Sequence, residues 1–254
     1  MIIRLDKLLA DSGYGSRSQV KKLLKNGAVT VDGLVEKDSS IKVDLDKSVV
    51  CCDGEIICFS QYEYYLLYKP GGIITASRDK QEKTVVDLIE SKKRRDLSPV
   101  GRLDRDTEGL LLITNDGQLA HKLLAPGKHV EKVYLALISG TIPENAVELF
   151  DVGLDIGDDK PTMPARLKIY DNPLDTADKS IIEKVEEYPD TRAVSIGLTE
   201  GRYHEIKRMF EVLGCKVEYL KRISMGGLVL NNEMEPGDYT SLSQDEIYKV
   251  FGIK

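Results

Sequence analysis

One aspartate of this chain stands where a carboxylate could do chemistry. Asp104 lies in the run GRLDRDTEGLLLITNDG, between Arg102 and Arg105 and shortly before the apolar segment 110–113. A segment that is apolar on successive residues predicts a strand buried on both faces. A charged side chain at the mouth of such a strand is unusual, and a carboxylate there could act as a nucleophile. The alternative is a loop aspartate that only forms salt bridges with its arginine neighbours.

Composition and charge limit the class of protein. The chain has 254 residues, 41% hydrophobic and 31% charged, which is typical of a globular protein with one large domain or a large and a small one. The net charge of −6 argues against coating of nucleic acid by the whole surface, so any basic patch must be local. No apolar stretch is long enough to span a bilayer, and no signal peptide is evident. The four cysteines form no CxxC pair, so we expect a cytoplasmic protein without disulfides or structural zinc.

The first sixty residues have the pattern of a small separate module. Leucines between residues 5 and 9 predict a helix that ends at Gly13. Ser16, followed by Gln19 at the third position, is a capping-box pattern that predicts a second helix. Alternating valines then lead into the Asp32-Gly33 pair, which predicts a hairpin turn. The module is therefore predicted to be a small α/β domain.

Basic side chains are concentrated in this module. Arg17, Lys21 and Lys25 recur at every fourth position and share one face of the second helix. The candidate RNA-binding residues here are Arg4, Arg17, Lys21, Lys22 and Lys25. Such a local excess of positive charge predicts contact with phosphates, although a solvated helix face is the alternative. The order RLDKLLADSGYGSRSQVKKLLKNGAVTVDG resembles the S-four type of RNA-binding fold found in ribosomal proteins, which implies that this module grips structured RNA.

The rest of the chain has the pattern of an α+β domain. Short apolar strands predominate, helices lie between them, and no regular βαβ repeat occurs, which favours a large, mainly antiparallel sheet flanked by helices. Segments 65–68 and 73–75 are predicted strands, and 151–193, rich in Asp, Pro and Lys, is predicted to form hairpins and loops. We expect domains at residues 1–60 and 61–254.

Motifs along this second part resemble those of bacterial rRNA pseudouridine synthases, specifically the RsuA-like type that modifies small-subunit (16S) rRNA. They are the GRLDRD run, the KPxG sequence at Lys69, and EGRYHEIKRM; the resemblance is weakest between residues 151 and 192. It implies isomerisation of a uridine to pseudouridine, in which the bond from the sugar to N1 of uracil breaks and C5 joins the sugar. Because no atoms are gained or lost, we expect neither a cofactor nor a metal.

The resemblance also implies roles for individual side chains. Asp104 matches the nucleophile, and Asp106 matches a supporting position. A base inside folded RNA must be flipped out before an enzyme can modify it. Arg102 matches the side chain that inserts into the space that the base leaves in the stack. Tyr134, in EKVYLAL, matches the tyrosine that packs against the target base. From its position in a strand alone, Tyr134 would be a core residue.

The third motif implies the cation that a catalytic carboxylate needs. Lys207 matches this position, with Arg208 in reserve, and a solvated lysine is the alternative. Arg202, His204 and Arg208 are expected to contact RNA, and Leu228 is expected to line the base pocket.

Other classes fit less well. The three histidines lie far apart in the sequence, which disfavours a histidine metal site, and no P-loop motif occurs. Two alternatives stay open: the same chemistry on large-subunit (23S) rRNA, and a non-catalytic rRNA-binding protein. The expected partner is ribosomal RNA or an assembly intermediate of the small subunit, and the expected state is a monomer with no membrane contact.

Overall fold

Two compact units make up the chain. The computed structural model describes residues 1–57, 59, 61–92, 96–125, 127 and 129–253. Contacts between backbone positions group Met1–Glu63 with Glu90–Leu97, and Tyr64–Ile89 with Ser98–Lys254. The sequence analysis assigned Glu90–Leu97 to the second domain, whereas its contacts lie within the first unit. The domain boundary at residue 60 stays a prediction.

The described residues of the first unit form two helices and two small sheets. Its elements are β1 (Ile2–Arg4), α1 (Leu5–Asp11), α2 (Arg17–Lys25), β2 (Val29–Val31), β3 (Leu34–Val35), β4 (Lys42–Asp44), β5 (Val50–Cys52) and β6 (Glu55–Ile56). β1 pairs with β4, and the other four strands form an antiparallel sheet in the order β3-β2-β5-β6.

Local sequence explains the boundaries of these elements. Ser16 and Gln19 form the predicted capping box at the start of α2. Asp32 and Gly33 have positive φ angles of 52° and 82°, as a type I′ hairpin turn requires. The leucines of α1 are fully buried in the core of this unit, against apolar residues of α2. One face of α2 is thereby fixed inward, so its basic face is presented to solvent.

The second unit is built on one large sheet. Its elements are β7 (Tyr64–Lys69), β8 (Ser98–Pro99), β9 (Glu108–Thr114), α3 (Gly117–Leu124), β10 (Lys132–Ser139), α4 (Ala146–Val152), β11 (Arg166–Ile169), α5 (Lys179–Glu187), β12 (Thr191–Leu198), α6 (Glu205–Val212), β13 (Lys216–Met225), β14 (Leu228–Val229), β15 (Tyr239–Leu242) and α7 (Gln244–Val250). The main path of the sheet is β11-β12-β10-β13-β9-β7-β15, with β14 beside β13 and β8 beside β9. Among the described strands only β9 and β13 pair in parallel. The predicted α+β class with a mainly antiparallel sheet is confirmed.

The parallel pair at the centre of the sheet places the aspartate run. Leu110–Ile113 of β9 are fully buried, as predicted for a strand covered on both faces. Gly109 has φ of 102°, and a Cβ built there would lie 2.2 Å from the carbonyl oxygen of Arg222 in β13. Only glycine therefore allows β9 to approach β13 so closely. The loop that carries Asp104 is thus delivered to a fixed point in the middle of the sheet.

Two predictions about secondary structure were wrong. Segment 73–75 is not a strand: only Ile74 forms an isolated bridge, to Thr84, and the segment folds against the Asp104 loop. The stretch predicted as hairpins and loops contains α5, because Asp178 caps its first turn and Ile181 is buried on the side of the helix that faces the sheet. Buried capping of this kind depends on tertiary contacts that a polar sequence does not reveal. No described helix is long and apolar enough to cross a membrane.

Candidate active site

A cleft of about 670 Å³ opens in the second unit, between the loop that leads into β9 and the segment that begins α6. Three of the residues singled out from the sequence, Asp104, Tyr134 and Lys207, line this cleft together. Three predicted RNA contacts, Arg102, Arg202 and His204, line it as well. The apolar part of the wall includes side chains of β12 and β13. Residues from separate motifs therefore meet in one concave site, which is where ligands usually bind.

The Asp104 carboxylate lies between two basic groups. Lys207 Nζ is 3.7 Å from Oδ2, and His204 Nε2 is 3.6 Å from Oδ1. These distances permit Coulombic attraction but exceed those of strong hydrogen bonds. Neither carboxylate oxygen of Asp104 accepts a hydrogen bond from a described residue, and 29% of the side chain is exposed. The carboxylate therefore lies beside the Lys207 ammonium and the His204 imidazole, and it remains accessible from the cleft.

Lys207 bridges two carboxylates. Its ammonium donates to both oxygens of Asp106, at 2.6 and 2.7 Å, and is also within ion-pair distance of Asp104. Partial desolvation favours the neutral form of the exposed Asp106, but the Lys207 ammonium outweighs it and holds the pKa of that carboxyl below its ordinary value. The sequence analysis paired Lys207 with Asp104 alone. The structure adds Asp106 as the group that anchors the ammonium beside Asp104.

A fully buried lysine fixes the Asp104 loop from beneath. Lys69, at the end of β7, donates from Nζ to the carbonyl oxygens of Pro70, Arg105 and Thr107 at 2.9–3.0 Å. Burial lowers the pKa of Lys69 to about 8, while nearby carboxylates oppose the shift. The sequence analysis named Lys69 only as part of the KPxG sequence that follows the predicted strand 65–68. A lysine that follows a strand apolar on both faces was the available signal, because such a charge needs dedicated partners.

Residues 72–75 form hydrogen bonds with the same loop. Thr75 Oγ1 donates to the Leu103 carbonyl at 2.7 Å and accepts the Leu103 N–H at 3.3 Å. The Gly72 N–H donates to the Arg105 carbonyl at 2.8 Å, and Arg105 Nε donates to the Gly72 carbonyl at 3.1 Å. Asp104 is thus flanked on both sides by reciprocal hydrogen bonds. This preorganises the carboxylate, as a precise chemical role requires.

Tyr134 and Arg102 complete the wall of the cleft. Tyr134 is half-buried in β10, where it packs on the core and faces the cleft. Its placement combines the two interpretations that the sequence left open, core residue and site residue. Arg102 is exposed and forms no hydrogen bond or ion pair with any described residue. Its guanidinium is therefore available to an incoming ligand.

The two other arginines near α6 contact a neighbouring loop. Arg202 donates to the carboxylates of Glu200 and Asp158 at 2.9 and 3.3 Å, and to two carbonyl oxygens of the same loop at 2.6 Å. Arg208 donates to Asp158 at 2.6 Å and to the Ile156 carbonyl at 2.5 Å. The Arg208 guanidinium therefore contacts the Asp158 loop and not the Asp104 carboxylate. The predicted RNA contacts of both arginines stay predictions, and any such contact would compete with these bonds.

Sequence reasoning did not single out Glu205, which is buried at the first position of α6. Its Oε2 accepts the backbone N–H of Arg202 at 2.8 Å, which fastens the turn that carries His204. Burial, together with the neighbouring Glu200, raises the pKa of Glu205 to about 7. Leu228, in contrast, is buried in β14 and is not among the residues that line the cleft, and its role in the base pocket stays a prediction.

The basic residues of the first unit differ in their surroundings. Arg17, Lys21, Lys22 and Lys25 are exposed on α2 without a hydrogen bond or ion pair to any described residue. Arg4 is bonded to Asp6 through two hydrogen bonds of 3.0 and 2.8 Å. Four of the five basic residues that are predicted to bind RNA here therefore carry a charge that forms no ion pair with a described residue. Within the described chain, no group of three or more His, Cys, Asp or Glu side chains is arranged to hold a metal.

Known proteins share both units of this chain. Residues 63–212 match the RNA pseudouridylate synthase family, and residues 3–49 match the S4 domain. The chain therefore belongs to the RNA pseudouridylate synthase family and carries an RNA-binding S4 domain at its N-terminal end. It is an enzyme whose partner is RNA, as the sequence analysis predicted.

Individual relatives extend over nearly the whole chain. An uncharacterized RNA pseudouridine synthase of Bacillus subtilis, YtzG, is 40% identical over 97% of both chains. Ribosomal small subunit pseudouridine synthase A of Vibrio parahaemolyticus is 36% identical over 98% of this chain and 100% of its own. A crystal structure of a pseudouridylate synthase has a TM-score of 0.63 and 33% identity, and covers 98% of this chain and 99% of that one.

Proposed function

We propose that this enzyme converts one uridine of small-subunit rRNA to pseudouridine, with Asp104 as the nucleophile. The observation that carries the proposal is the position of Asp104, which lines the cleft with Lys207 Nζ at 3.7 Å and without a hydrogen bond to its carboxylate from any described residue. A carboxylate that lines the cleft beside an ammonium group can reach a substrate and act as a nucleophile. The small-subunit target is supported by the name of the Vibrio relative.

The reaction itself needs few groups. The bond between C1′ of the ribose and N1 of uracil breaks, the base turns, C5 bonds to C1′, and C5 loses its proton while N1 gains one. Asp104 supplies the nucleophilic carboxylate for the sugar–base cleavage. Lys207, anchored on Asp106, keeps positive charge beside that carboxylate throughout. An Asp104 carboxylate oxygen bonds to C1′ as the C1′–N1 bond breaks, and that bond breaks when C5 joins C1′, which regenerates the carboxylate. C5 loses its proton to solvent and N1 takes one from solvent, so atoms and electrons balance.

The target uridine must leave its helix to reach Asp104. We propose that Arg102 fills the space that the base vacates, which is supported by its exposure at the cleft and by its lack of partners among the described residues. Tyr134 packs against the extruded uracil, supported by its half-buried position in the cleft wall. Aromatic side chains hold unstacked bases in this way because every base presents a flat face.

We also propose a division of labour between domains 1–60 and 61–254. The first binds RNA through the basic face of α2, and the second carries the chemistry. The free side chains of Arg17, Lys21 and Lys25 support the first role. The enzyme acts as a monomer in the cytoplasm, on rRNA or an assembling small subunit.

Mapping of pseudouridine in the rRNA of cells with and without this gene tests the proposal. We expect one small-subunit site to lose pseudouridine when the gene is absent and to regain it when the wild-type gene is restored. Restoration with an Asp104→Asn gene is the control and should fail. Loss at a large-subunit site would change the target but keep the chemistry, whereas unchanged pseudouridine at every rRNA site would overturn the proposal.

A further inference from the structure

Tyr203 differs from every other tyrosine of the chain in its exposure. All twelve tyrosines lie within the described ranges, and Tyr203 alone is mostly exposed, at 75%. A large aromatic ring left in water is unfavourable, because burial of such a ring is one of the larger sources of stability. Tyr203 also lines the cleft that contains Asp104. An exposed aromatic ring beside a site that binds RNA can stack on an unpaired base.

The ring of Tyr203 is held in place. It stacks on the neighbouring His204, with ring centroids 3.9 Å apart and planes inclined by 14°. His204 has a left-handed backbone conformation, with φ of 50°, which is uncommon for a residue other than glycine and concentrates at functional sites. The turn is fastened by Glu205, which accepts the Arg202 N–H, and by Arg208, whose N–H donates to the His204 carbonyl. The stacked rings of Tyr203 and His204 are therefore preorganised before any ligand binds.

The two rings form a path from the inside of the cleft to its mouth. His204 is 3.6 Å from the Asp104 carboxylate, and Tyr203 stacks on His204 and is exposed to solvent. A uracil that reacts at Asp104 would lie at the inner end of this path. The exposed face of Tyr203 is then placed for the next base along the strand.

We propose that the Tyr203–His204 pair is a stacking subsite for the nucleobase adjacent to the target uridine. This inference rests on the proposed function, because the position of the target defines which base is adjacent. Stacking is tolerant of sequence, so the subsite contributes affinity and register without selecting one base. It also stabilises the unstacked strand after the uridine leaves its helix.

The absence of tryptophan from the chain allows a direct test. Tyr203→Trp keeps an aromatic face and introduces a single indole fluorophore, and Tyr170→Trp, outside the cleft lining, is the matched control. Each variant is titrated with transcripts of small- and large-subunit rRNA, and binding is measured independently by filter retention. We expect the indole fluorescence of Tyr203→Trp to be quenched on saturation and that of Tyr170→Trp to change little. Both variants should bind with affinity close to that of the wild type.

Two further variants separate the ring from its hydroxyl. Tyr203→Ala should weaken rRNA binding, and equally kcat/KM, by about 5- to 150-fold, the usual effect of losing one stacked base. Tyr203→Phe should restore most of the loss. The single-turnover rate at saturating RNA should change much less, because Tyr203 does not touch the reacting atoms.

Several results would overturn this subsite. They are unquenched fluorescence of the Tyr203→Trp variant in a complex shown to form, wild-type affinity of the Ala variant, or a Phe variant as weak as Ala. A fall confined to the saturated rate would mean that Tyr203 holds the target uracil itself, which also contradicts the inference. Pseudouridine formation by the wild type is measured in parallel. Its absence would remove the proposed function whatever the fluorescence shows, so the two failures are distinguishable.

Discussion

The basic side chains of α2 and those at the start of α6 have opposite surroundings. On α2, Arg17 and its neighbours are exposed and form no hydrogen bond or ion pair with described residues. Near α6, Arg202, Lys207 and Arg208 each donate to at least one carboxylate. Free surface charges act on phosphates through solvent and are screened by salt. Paired charges instead fix the positions of their neighbours. The first region should therefore govern affinity, and the second should govern rate.

Replacement of the proposed nucleophile should have the largest effect. Asp104→Asn is nearly isosteric but removes the charge, so we expect single-turnover pseudouridine formation to fall by more than about a thousandfold. Folding and RNA binding should be retained. Asp159→Asn, at an exposed aspartate that does not line the cleft, is the control and should keep activity close to that of the wild type. Appreciable turnover by a purified Asp104→Asn variant would exclude Asp104 as the nucleophile.

Loss of the Lys207 charge should rank second. Lys207→Met removes the cation beside Asp104, and loss of one preorganised electrostatic group typically lowers the chemical rate by about 10²–10³-fold. Lys207→Arg should recover part of the rate. Lys216→Met, at the exposed start of β13, is the control and should leave the rate near that of the wild type. Equal rates for the two Met variants would mean that the ammonium only stabilises the fold.

The α2 face should affect affinity instead of rate. A variant with Arg17, Lys21 and Lys25 all changed to Ala should bind rRNA about tenfold to a hundredfold more weakly near physiological salt, with a log–log salt slope shallower by about 0.7 to 0.9 per lost contact. The saturated single-turnover rate should change little. The measurement is binding at several salt concentrations. An unchanged slope would show that this face is only solvated, and a collapsed rate with normal binding would break the comparison between the two regions.

The smallest effect concerns Lys69, which supports the second region without contacting substrate. Its pKa is about 8 in the folded chain, below the ordinary value of 10.5, because of burial. Between these values the unfolded chain binds more protons than the folded chain, so the free energy of unfolding should rise with pH across this range. Over this pH range, the free energy of unfolding of the wild type should rise on the order of 1–3 kcal/mol more than that of Lys69→Met.

Urea unfolding at a series of pH values measures this difference. Lys216→Met again serves as the control for the general cost of losing a lysine. A wild-type curve that runs parallel to that of Lys69→Met through the whole range would show that the Lys69 ammonium is not destabilised by burial.

Sequence patterns predicted those features that depend on neighbours along the chain. The capping box at Ser16, the turn at Asp32-Gly33 and the buried strand β9 all follow from local periodicity and turn chemistry, and all are present. Segment 73–75 and helix α5 were wrongly predicted. The first is a short apolar run and the second lies in a polar stretch, and neither pattern specifies one structure by itself. In both, contacts with residues distant in sequence decide the outcome.

By itself, the sequence determined the fold class, the family motifs, and which carboxylate, tyrosine and lysine would share a site. Only the tertiary structure decided how those groups are held. Lys207 reaches Asp106 from a distant part of the sequence, Lys69 binds three carbonyl oxygens from below, and His204 contacts both Asp104 and Tyr203. Most of these contacts join residues that are distant in sequence and lie a few ångströms apart in the folded chain. Periodicity specifies which face a side chain occupies, but only packing specifies what that side chain meets there.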